Sequence, residues 1–95
     1  MANRQEYIDK LTARLKELDA EIEKLQAKAE QSQAETKSKY KDELENLRTK
    51  RENAELKLTE LKNAREDAWE ELKTGTEKAW NTLSDSVKKA ADKFK

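Results

Sequence analysis

From Ile8 the apolar residues of this chain advance by alternating steps of three and four: Ile8, Leu11, Leu15, Leu18, Ile22, Leu25, Ala29. That spacing is a heptad seam, one apolar stripe along an α-helix with polar residues around it. The stripe thins between Gln26 and Lys39, where only small and polar residues are on offer, and resumes as Leu44, Leu47, Arg51, Ala54, Leu58, Leu61, Arg65, Ala68, Leu72. The resumed stripe is one residue out of phase: seven-residue steps from Ile8 land on Glu43, not Leu44. Such a slip locally relaxes a left-handed supercoil.

A helix with a single stripe cannot bury it alone, and most helical stability comes from packing. Each fully buried Leu or Ile contributes roughly 1.5–3 kcal/mol. The stripe therefore needs a second helix, from the same chain or another copy. The residues expected to form an oligomer interface are Ile8, Leu11, Leu15, Leu18, Ile22, Leu25, Leu44, Leu47, Leu58, Leu61 and Leu72. Arg51 and Arg65 fall at core-type positions, where their stems can cover apolar surface while the guanidinium reaches a carboxylate or water. Tyr40 reads as a filler where the seam resumes, its hydroxyl at the edge.

The thin stretch leaves two readings. A turn near residues 31–38 folds the chain into an antiparallel hairpin, or the helix runs straight through. Gly, Pro, Asn and Asp are absent there, which favours the continuous helix. From residue 5 to 73 that would be a rod of about 100 Å at ~1.5 Å per residue.

The second half carries another order. Leu58, Trp69, Trp80 and Ala91 are eleven apart, as are Leu61, Leu72, Leu83 and Phe94. The units are LTELKNAREDA, WEELKTGTEKA and WNTLSDSVKKA. Eleven residues in three turns give a straight or slightly right-handed stripe. Gly75 is the lone glycine. Thr74 and Glu77 around it have the spacing of a capping box. The phase nevertheless passes Gly75 unbroken, so a kink between coaxial helices fits better than a full turn. The predicted organisation is all-α: residues 1–74 a coiled coil, as one long helix or an antiparallel hairpin, and residues 75–95 a shorter amphipathic helix.

Composition narrows the functional classes. Charged residues make up 44%, and 21 basic residues balance 21 acidic ones. DNA and RNA binding call for uncompensated Lys and Arg, so nucleic acid is not an expected partner. There is no His and no Cys, which removes imidazole bases, thiolates and the usual zinc ligands. One glycine cannot build a phosphate-cradling loop. Adjacent carboxylates such as Glu66–Asp67 and Glu70–Glu71 read as a solvated helix face. The expectation is a protein that is no enzyme, with no cofactor, metal or small-molecule substrate. With neither an apolar leader near the N-terminus nor a membrane-spanning run, a cytoplasmic location is expected.

One segment invites a sharper reading. Residues 76–95 hold five Lys against three acids. Trp69, Trp80, Leu83, Val87 and Phe94 form an apolar face with Lys88, Lys89 and Lys93 beside it. They are either a packing face or a surface for lipid or a partner, in the manner of an interfacial helix.

Taken together, Tyr-Ile-Asp-Lys-Leu at residues 7–11, Leu-Lys-Glu-Leu-Asp-Ala-Glu-Ile-Glu-Lys-Leu at 15–25, the Leu-Arg-x-Lys-Arg run at 47–51 and Asp-Ala-Trp-Glu-x-Leu-Lys-x-Gly-x-Glu-x-Ala-Trp at 67–80 resemble a family of short bacterial coiled-coil proteins. Some of its members are labelled stress-response proteins, and no biochemical activity carries over from them. Self-association, as a dimer or small helical bundle, is expected from the apolar stripe itself rather than from this resemblance. The eleven-residue repeat is also similar, in period and composition, to those of apolipoproteins and late-embryogenesis-abundant desiccation proteins.

Overall fold

Strong helix formers dominate the sequence, and in the computed structural model, which describes residues 3–94, they build three helices and no strand among those residues. Helix α1 spans Asn3–Glu30, α2 spans Ala34–Lys62 and α3 spans Glu66–Lys93. They run up, down and up, as an antiparallel hairpin followed by an amphipathic C-terminal helix. The molecule measures 51 × 18 × 17 Å. Its radius of gyration is 15.4 Å, against about 12 Å for a spherical domain of this length, so it is a slender bundle.

The uninterrupted helix from 5 to 73 is not what the chain adopts. It turns at Gln31–Gln33 and again at Asn63–Arg65. At the first turn no breaker is needed. The Ser32 N–H and hydroxyl both donate to the Ala29 carbonyl, at 3.2 and 2.6 Å, and Gln31 N–H donates to Ala27 O at 3.3 Å. These bonds satisfy carbonyls that the end of α1 leaves open. Interrupting three helix-tolerant residues costs little beside the apolar burial gained when α2 folds back on α1. The one-residue slip in the sequence marks the passage from one helix of the hairpin to the other.

The second turn falls inside the eleven-residue repeat, so the LTELKNAREDA unit is divided between α2 and α3. Asn63 ends α2: its backbone N–H donates to Thr59 O at 3.2 Å and its Nδ2 to the same oxygen at 3.1 Å. Glu66 and Asp67 then occupy the first turn of α3, where carboxylates favour the positive end of the helix dipole. Arg65, expected at a core-type position, is instead the exposed residue entering α3.

Gly75 lies within α3, which passes through it unbroken, so residue 75 starts no separate helix. Thr74 caps nothing. Its hydroxyl bonds back to Glu70 O at 3.0 Å, as a mid-helix threonine does.

The core runs the length of the bundle. Leu47, Leu61 and Leu83 are essentially without solvent contact, as is Thr76, whose hydroxyl donates to Leu72 O at 2.7 Å with Lys57 O of α2 at 3.4 Å. Helix α3 lies mostly against α2, and α1 meets α3 least. No helix among the described residues is long and apolar enough to cross a membrane.

Candidate functional site

The residues predicted as an oligomer interface all lie against this intramolecular core. Ile8, Leu11, Leu15, Leu18, Ile22 and Leu25 of α1 and Leu44, Leu47, Leu58 and Leu61 of α2 are buried, and Leu72 of α3 is half-buried beside them. Of the candidate lipid or partner surface, Trp80, Leu83, Val87 and Phe94 are buried in the same core, and only Trp69 is half-exposed. The closed bundle thus uses both sets itself. The Trp80 indole N–H is buried with no acceptor, an arrangement that typically costs about 1–3 kcal/mol.

Polar contacts fix the register between helices. Arg51 of α2 reaches across to Asp19 of α1, with Nε and Nη2 donating to the two carboxylate oxygens at 2.8 and 3.1 Å, and it also bonds Glu55. These bonds, Asp19's first, hold the guanidinium above its ordinary pKa although burial opposes them. The expected reach of the guanidinium to a carboxylate is the one observed, with Arg51 half-buried. Lys50 donates to Ser86 at 2.7 Å and Lys93 to Glu43 at 2.6 Å, joining α2 to α3. Arg14 to Ser84 at 3.3 Å joins α1 to α3.

The two ends of the bundle differ in what they offer. At the end where α1 begins, Arg4 donates to Leu61 O at 3.3 Å and to Ala64 O, closing the carbonyl end of α2. Its guanidinium lies 4.5 Å from the centre of the Trp69 ring, a cation–π contact. Tyr7 packs edge-on to Trp69 at 6.1 Å and donates to Glu77 Oε1 at 2.7 Å. Burial, then the Glu77 bond and charge, push the phenol well above its ordinary value of 10.0. This cluster ties three chain segments together and reads as a structural latch. Sequence periodicity missed it because Arg4 precedes the seam and acts on backbone carbonyls sixty residues away.

At the opposite end α3 stops short. Phe94 stacks on Tyr40, ring centres 3.8 Å apart and planes 22° from parallel, and the Tyr40 hydroxyl reaches Lys93 O at 3.4 Å. Tyr40 lies six residues inside α2, whose N-terminal start at Ala34 therefore projects beyond Phe94. The projecting hairpin carries an open groove of about 430 Å³ lined only by α1 and α2. Ala29 and Leu44 are its buried floor, with Lys37, Lys41, Arg48, Glu30 and Glu45 around it. Mixed charges over a small apolar floor suit contact with another helix. Among the described residues no cluster of three metal-ligating side chains occurs.

No family model, curated protein or solved structure matches this chain.

Proposed function

We propose that the protein is a non-enzymatic structural or interaction protein that associates with its own kind through helix–helix contact. The carrying observation is the open groove at the hairpin tip, lined by α1 and α2, with Ala29 and Leu44 as its floor and charges of both signs around it. A mixed-sign surface around it, net zero over the chain, disfavours close like-charge clashes and so tolerates a second copy. The link to stress response rests on the sequence resemblance to coiled-coil proteins so labelled.

Light scattering across a concentration series tests this reading. Mass should rise from 11.1 kDa toward 22 kDa or more, twice the chain mass. A constant 11.1 kDa up to millimolar concentration would remove it.

Peripheral lipid binding through α3 is the second reading. It draws on Trp80, Leu83, Val87 and Phe94, which the bundle buries, so lipid must compete with the core for them. Trp fluorescence with anionic vesicles separates the two: an unchanged emission maximum eliminates lipid binding.

A further inference from the structure

The first turn can also be read as a hinge. It contains no glycine and no proline, and no non-glycine residue among those described has a positive φ. Gln33 enters α2 without a side-chain cap. Nothing in Gln31, Ser32 or Gln33 resists the helical conformation. Apart from the helix-starting bond of Lys37 N–H to Gln33 O, the turn is held by bonds from Gln31 and Ser32 to the end of α1.

A second observation bears on what an opened hinge would present. Leu44 follows Ile8 by 36 residues, and the same interval separates Leu11 from Leu47, Leu18 from Ala54 and Leu25 from Leu61. Thirty-six residues are ten turns of a straight α-helix at 3.6 residues per turn. If residues 31–33 became helical, the seams of α1 and α2 would fall on one face of a single helix. That alignment is not required for a hairpin, where each helix is free to rotate. It is required for two opened chains to lie antiparallel with each α1 on the other's α2.

We propose that the chain dimerises by exchanging α1 through this hinge, giving two bundles end to end with each α1 seated on the α2–α3 pair of a second copy. The proposal rests on the self-association reading and names its mode. Every contact away from the turn is kept, so the exchange exploits the small difference in cost between turn and helix, the usual route to domain swapping. Helix α1 is the part suited to move, since it meets α3 least. Opening occurs at the first turn because Asn63 and Arg4 fasten the second.

The test combines hinge variants with a reporter of exchange. Replacing Gln31, Ser32 and Gln33 together by Ala should lower the dimer dissociation constant at least about tenfold, through helix propensity. Ser32→Gly should raise it. The chain has no native cysteine, so D19C with R51C marks the α1–α2 contact, and a short bis-maleimide should link two chains in the exchanged dimer. Small-angle scattering needs no cysteine and should give a length of about 100 Å, near twice 51 Å, with unchanged cross-section. An alanine-hinge variant that stays at 11.1 kDa at every concentration overturns the exchange. A dimer whose bis-maleimide link stays within one chain and whose length falls well short of 100 Å also overturns it, yet leaves self-association standing. Failure of wild type and every variant to associate removes both.

Discussion

The two turns of this bundle have the same length and opposite character. Each spans three residues, and each delivers the chain into the next helix through an extended residue without a side-chain cap: Gln33 at φ −68°, ψ 157° and Arg65 at φ −74°, ψ 157°. At 63–65 the orphan carbonyls of α2 are claimed from both near and far, by Asn63 and by Arg4. At 31–33, among the described residues, it is Gln31 and Ser32, on the spot, that serve the end of α1. A connection of fixed length thus becomes a latch or a hinge according to whether remote side chains take up the groups that a helix end exposes.

The largest test of this contrast is in the core beneath each turn. Leu61→Ala, under the second turn, removes a side chain with no solvent contact and should cost about 3 kcal/mol. Ala29→Gly, under the first, should cost about 1 kcal/mol through helix propensity. Urea denaturation measures both, and a loss from the single-methyl deletion at Ala29 as large as that at Leu61 would mean that the first turn is the more firmly braced of the two.

Next is Arg4→Ala. It leaves carbonyls of α2 without their cationic donor and should destabilise by about 1–2 kcal/mol. Hydrogen exchange should quicken around residues 61–68 and stay unchanged around 29–33. Equal quickening at both turns would break the distinction between them.

Gly75→Ala should stabilise by about 0.5–1 kcal/mol, because a methyl group there meets nothing within 4 Å and glycine is costly inside a helix. A rise in thermal midpoint checks it. A fall would mean that α3 near the latch needs the freedom of glycine.

The last effect is confined to alkaline solution. Tyr7 titrates higher in the folded chain than its ordinary 10.0 because burial and Glu77 disfavour the phenolate. The unfolded chain therefore gives up this proton first. The stability contributed is complete below pH 10.0 and is lost as pH climbs toward the raised folded value. Tyr7→Phe should lose stability less steeply above pH 10.0 in paired denaturation curves. Parallel curves would remove Tyr7 from the latch's pH response.

Much of this was open to reading along the chain. The helix formers made the protein all-α, and the three-and-four steps picked out the buried faces of α1 and α2. Arg51 could be anticipated as a core stem with a carboxylate partner. Asn63 followed by Glu66 and Asp67 was a legible stop and restart, hidden because the eleven-residue repeat runs across it. The first turn showed only as a thinned stripe and a one-residue slip, which left a turn near 31–38 open; Gln, Ser and Gln tolerate helix, so local propensity there spoke for the form the bundle does not take.

What the sequence determined by itself was which side chains must leave water, since helical period and residue type are properties of a single strand. What covers them was decided only by the tertiary structure. Apolar burial is non-directional and indifferent to connectivity, so one stripe is satisfied equally by a neighbouring helix of its own chain or by another copy. The balance rests on a few hydrogen bonds at 31–33, on Arg4 of α1 closing the carbonyl end of α2, and on Phe94 stacking on Tyr40. The first is local but follows from no residue that forbids helix, and the others are meetings of residues remote in sequence, which no periodicity records.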